Sequence, residues 1–154
     1  MSFFTTFRRH DRLTEQAPAR VAPTPANSVL TAICLGLLTG FAGTMYHAFI
    51  WHITPDIYLP WGAVLGILLV FCAATWCSLR AEKTWAGSLV GVVAFMLIAV
   101  FGFAKTGSVL VLLNPVVPVG VAGTLWLLGT MAATAVSNVV VGRSLRRRTQ
   151  RVQK

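Results

Sequence analysis

Residues 80–105 read RAEKTWAGSLVGVVAFMLIAVFGFAK, with three charged side chains at one end, a single lysine at the other and twenty-one uncharged residues between them. At about 1.5 Å per residue, a helix of that length spans about 31 Å, which matches the hydrocarbon core of a bilayer. Ten Leu, Ile, Val or Phe residues lie between Leu89 and Phe103. At roughly 0.3–0.6 kcal/mol each on the insertion scale, they favour lipid by roughly 3–6 kcal/mol.

Three further stretches have the same character. They run over about 28–51, 60–79 and 118–141, and none contains an acid, a lysine or an arginine. The chain as a whole is 56% hydrophobic and only 11% charged, far from the balance of a soluble domain of 154 residues. The fold class that follows is all-α, a transmembrane four-helix bundle with spans at 28–51, 60–79, 84–104 and 118–141.

Charge orients the bundle. Arg8, Arg9, Arg12 and Arg20 precede the first span, Arg80 and Lys83 separate the second from the third, and Arg143, Arg146, Arg147, Arg148, Arg151 and Lys154 follow the fourth. Only Lys105 falls in a gap of the other kind, so twelve basic residues stand against one. Basic residues resist translocation, which places both termini and the middle loop in the cytoplasm. A net charge of +9 raises nucleic acid as a partner, but this alternation assigns the charge to a membrane surface instead. Arg143, Arg146, Arg147 and Arg148 read as anchors to anionic lipid headgroups.

The flanking segments complete the expectation. Residues 1–27 mix charged and polar residues with Pro18, Pro23 and Pro25, the composition of a disordered tail, and 142–154 form a second, basic tail. The first apolar run continues through Ala48, Phe49 and Ile50, past the length of a signal h-region, which favours an uncleaved first span. Asn27 or Ser28 is the expected cap of that span, and Pro60 suits the first turn of the next. Tyr46, Trp51, Tyr58 and Trp61 mark one aromatic belt, Trp76 and Trp85 the other. Val109 to Leu113 is too short to cross. Residues 107–117 therefore read as a short extended segment capping the outer helix ends, with a re-entrant piece as the alternative.

Three spans carry a Gly-x-x-x-Gly pair: Gly36 with Gly40, Gly62 with Gly66, and Gly87 with Gly91. The fourth offers Gly129, Ala133 and Ser137 at the same spacing. Lipid supplies no hydrophobic force between apolar helices, so small residues that let backbones approach mark the contact faces. The threonines within the spans are expected to bond carbonyls of their own helices. Asn138 is expected to have a structural role, reaching headgroups from near the end of its span.

Chemistry is sparse. His47 is the one ionisable residue placed within a span, and it lies one turn from the outer end. His47, His52 and Asp56 form the only cluster of metal-ligand types. Five residues of helix turn the two imidazoles about 140° apart beyond a full revolution, so interfacial packing is the preferred reading and no cofactor is expected. Cys34, Cys72 and Cys77 fall inside spans and read as small packing residues. No phosphate loop, nucleophile elbow or paired carboxylate is present, and the chain reads as a non-enzyme.

Pro60-Trp-Gly62, the Val/Leu-rich segment from Gly107 to Leu113 and Trp126-Leu-Leu-Gly129 give the chain a resemblance to small four-span membrane proteins of actinobacteria. The resemblance covers about 28–141. It implies the topology and a bacterial plasma membrane, and it carries no activity. Three functions follow as expectations. The first is a homo-oligomer or an accessory subunit of a larger membrane complex. The others are a small transporter or channel for a neutral or lipid-like solute, and an outer-face metal sensor on His47, His52 and Asp56.

Overall fold

The computed structural model describes residues 24–54, 57–103 and 116–152. Four helices dominate: α1 (Pro25–Tyr46), α2 (Trp61–Ala81), α3 (Thr84–Phe103) and α4 (Pro118–Val152), with strands β1 (Trp51–His52) and β2 (Tyr58–Leu59) between the first two. Each helix is long and apolar enough to cross a membrane. Residues 1–23 and 104–115, which include most of the expected tail and outer segment, lie outside the described residues.

Helix ends differ from the sequence expectation for local reasons. Thr24, rather than Asn27 or Ser28, caps α1: its Oγ1 accepts from the Asn27 N–H at 3.4 Å, and Pro25 follows where no hydrogen bond is lost. The same helix stops at Tyr46 rather than Trp51. The chain there folds into a two-residue antiparallel ladder pairing Trp51 with Leu59 and His52 with Tyr58, an arrangement that suits β-branched and aromatic residues. A tilted Tyr46–Phe49 ring pair at 5.7 Å and an edge-on Phe49–Trp61 pair at 6.1 Å tie the hairpin to both helices.

At the opposite end α4 does not stop near Val141. It runs on to Val152, 35 residues in all, so the basic segment is helical rather than a separate tail. Arginine is a good helix former, and no proline interrupts the run.

Helices α2 and α3 each pack against all three others, whereas α1 and α4 face each other across them. Near the hairpin the core is Ala63, Val70, Ala94, Ile98 and Trp126. Near the α2–α3 turn it is Ala32, Ala74, Cys77, Ala86 and Val90, small residues that draw three helices together. Polarity is inverted relative to a soluble bundle. Thr39, Thr44, Ser78, Thr130 and Ser137 are buried, while Leu38, Phe41, Met96, Val100 and Leu128 are each more than half exposed. That arrangement suits a hydrocarbon surround, where exposed apolar side chains cost nothing and unpaired polar groups cost most.

The α2–α3 turn contains the one described non-glycine residue with positive φ, Glu82 at φ 54°, ψ 26°. Its N–H and that of Lys83 both reach the Ser78 carbonyl, closing α2 in the left-handed cap usually filled by glycine. A β-carbon there costs about 1–2 kcal/mol, partly offset by the extra backbone freedom glycine loses on folding. Glu82→Gly is therefore expected to stabilise the bundle by about 0.5–1 kcal/mol, measured by reversible unfolding in mixed detergent micelles.

Candidate functional site

Trp126 organises the interior. It projects from α4, has no solvent exposure, and donates its indole N–H to Thr44 Oγ1 on α1 at 3.4 Å. This bond joins the two helices that otherwise stand across the bundle. Its ring occupies a space left by two glycines: a β-carbon on Gly43 would collide with the ring, and one on Gly66 would lie 2.8 Å from Cζ3. Gly43 was not among the glycines singled out by spacing. The missing signal was the size of the facing side chain, which no one-helix pattern contains.

The other glycines marked by spacing also face neighbours within the bundle. A β-carbon on Gly36 would lie 2.7 Å from Val93 Cβ, and one on Gly40 would lie 3.0 Å from Ala94 Cα, both on α3. Gly62 faces the Tyr46 carbonyl, and a β-carbon on Gly87 would lie 2.6 Å from the Ala74 carbonyl oxygen of α2. Gly91 meets Thr134 of α4, Gly129 meets Ile67 of α2, and Ala133 is buried.

Among the described residues, helix α4 makes one side-chain hydrogen bond to each of the other helices. Trp126 reaches α1 as described, Ser137 Oγ shares a 3.0 Å bond with Thr75 Oγ1 of α2, and Asn138 Nδ2 donates to Ser88 Oγ of α3 at 2.8 Å. Such bonds contribute about 0.6 kcal/mol each on average in a membrane. Asn138 thus turns to a neighbouring helix rather than towards headgroups. Thr31, Thr39, Thr130 and Thr134 do bond carbonyls one turn back. Asn138 Oδ1 is buried without a partner. It lies beside a groove of about 360 Å³ between α3 and α4, whose walls include Gly91, Met96, Met131 and Ala135.

The histidines separate. His47, the residue after α1, is 1% exposed, and its Nδ1 donates to the Thr44 carbonyl at 2.6 Å, leaving Nε2 without a partner. Burial lowers its pKa and the carbonyl bond opposes the shift, with burial the larger effect. His52 is exposed on β1, its ring 6.4 Å from that of Tyr58, and Asp56 lies outside the described residues. No group of three His, Cys, Asp or Glu side chains that could hold a metal occurs among the described residues. Cys34 and Cys72 are exposed on the helices, and Cys77 is buried, all as free thiols.

A second, apolar groove of about 340 Å³ opens between α1 and α2, with Gly43 and Gly66 in its floor and Tyr46 and Trp61 near its hairpin end. Trp126, Val70 and Ile98, all fully buried, fill the described centre of the bundle between the two grooves.

No family model matches the chain, and neither a curated protein nor a solved structure matches it.

The socket makes a specific prediction. Gly43→Ala presses a methyl group into an indole that has no room to move and is expected to cost about 1–3 kcal/mol. In a Trp126→Leu background, the same change is expected to cost under about 0.5 kcal/mol, a coupling that a double-mutant cycle of detergent unfolding measures.

Proposed function

We propose that this protein is a non-catalytic, multi-pass membrane protein that acts through lateral helix contacts, as a homo-oligomer or as an accessory subunit of a larger membrane complex. In this reading it resides in a bacterial plasma membrane, with both termini and the α2–α3 turn cytoplasmic. The twelve-to-one distribution of basic residues supports the threading.

One observation carries the functional reading. The α3–α4 groove is the place where small residues and the flexible, half-exposed Met96 and Met131 side chains form an irregular lipid-facing surface, with Asn138, whose amide oxygen is buried and unpartnered, in its lining. Methionine adapts to irregular partners, and small residues let a second helix approach closely. The Gly-x-x-x-Gly pairs do not serve this purpose, because each faces a helix of its own bundle. Changing those glycines would test folding rather than association.

Thiol crosslinking in native membranes separates the two. In a variant with Cys34, Cys72 and Cys77 replaced by alanine, Met131→Cys is expected to crosslink to a second copy or to another membrane chain. Leu38→Cys, on the exposed face of α1, serves as the reference. Equal crosslinking at both positions would remove the groove from the account.

The alternative is a small transporter for a neutral or lipid-like solute, for which the α1–α2 groove is the favouring observation. Solute flux through reconstituted vesicles that is lost on Leu65→Trp would support that reading in place of the first.

A further inference from the structure

Helix α4 passes the α2–α3 turn at Gly142. A β-carbon there would lie 3.9 Å from Thr84 Cγ2, and one turn deeper Asn138 donates to Ser88. Arg143 is therefore the first α4 residue beyond the level at which α3 begins. The helix does not break there but carries its arginines outward in fixed directions. Val140, Arg143, Ser144, Arg147 and Arg148 line, among the described residues, a cleft of about 480 Å³.

Helical geometry places Arg143, Arg147 and Arg148 within an arc of about 140°, with Val140 and Ser144 inside it, while Arg146 points about 130° from its centre. Along the axis Val140 and Arg147 are about 10 Å apart, and the headgroup layer of one leaflet is about 5–8 Å deep. The cleft thus runs from an apolar foot at Val140, past Arg143 and Ser144 at nearly one level, to Arg147 and Arg148. A phospholipid likewise presents an apolar acyl chain below and an anionic, hydrogen-bonding headgroup above.

Charge reinforces the match. No carboxylate side chain occurs anywhere in α4, and Glu82 is the one such side chain among the described residues. The arginines of the cleft thus have no acid on their own helix to neutralise them. Guanidinium forks bind phosphate oxygens in pairs, with planar geometry that an ammonium does not provide.

We propose that this cleft is a binding site for the phosphate headgroup of an anionic phospholipid. Arg143 and Arg147 hold the phosphate, Ser144 between them donates to a headgroup oxygen, and Val140 packs against the first acyl carbons. The site depends on the bundle lying in a bilayer and is independent of the helix-contact reading.

The test uses the full chain in nanodiscs of mixed phosphatidylglycerol and phosphatidylcholine, with retained lipid counted by native mass spectrometry. The intact protein is expected to retain phosphatidylglycerol preferentially. Arg143→Gln and Arg147→Gln are each expected to reduce that preference roughly fivefold, and Arg146→Gln, which removes a headgroup anchor outside the cleft, to reduce it by less than about twofold. These exposed positions lie outside the packed core, so the folded bundle, checked by circular dichroism, remains in every variant. An absent preference, or an equal loss from Arg146→Gln, would overturn the site in favour of a diffuse positive surface. A second arm titrates inorganic phosphate into pure phosphatidylcholine discs. Arg143-dependent phosphate binding there would assign the cleft to a free anion and overturn the lipid assignment, whereas its absence supports the headgroup.

Discussion

The closure of Trp126 between α1, α2 and α4 is the interaction on which the rest of the bundle depends. Within lipid, helices gain nothing by hiding apolar surface from one another, so cohesion has to come from close packing and from scarce hydrogen bonds. Trp126 supplies both between α1 and α4, the pair of helices that otherwise stand across the bundle from each other. Its ring fills the space vacated by Gly43 and Gly66, and its N–H meets Thr44. Without it, α1 and α4 would communicate chiefly through the pair of helices between them.

Around that anchor the polar groups are used sparingly. Among the described residues Thr39 and Thr130 return their buried hydroxyls to carbonyls of their own helices, and the side-chain links between helices are the three bonds from α4 and one from Ser78 Oγ of α2 to the Thr84 carbonyl of α3 at 3.5 Å. This economy accounts for the inverted surface. With hydroxyls inside and Leu, Val, Phe and Met outside, the bundle has the polarity expected when hydrocarbon rather than water is the solvent. The two unpartnered buried side-chain atoms among the described residues, His47 Nε2 and Asn138 Oδ1, stand out against it. One lies at the hairpin end of the bundle and the other beside the α3–α4 groove.

Four spans were legible because an uncharged run of about twenty apolar residues fits the thickness of a bilayer and is rare in water-soluble chains. Their ends were less so. Thr24 was hidden as a cap by the proline-rich stretch before it, and the Trp51–Leu59 ladder depends on pairing across a turn that periodicity does not register. The long α4 was missed because a basic composition reads as a solvated tail, although nothing in those residues breaks a helix. At the site, spacing marked individual glycines but not their partners. Gly43 escaped because its role is defined by the ring facing it, and Asn138 was assigned to headgroups because the register between α3 and α4 is a tertiary fact.

Fluorescence quenching by lipids brominated on their acyl chains tests the central claim most directly. In a variant that retains Trp126 as its only tryptophan, emission is expected to resist quenching even though the residue lies at the depth of the acyl chains. A tryptophan introduced by Leu38→Trp into a chain with its own tryptophans removed is expected to be strongly quenched. Comparable quenching at both positions would place Trp126 against lipid and contradict the enclosed interior on which this account rests.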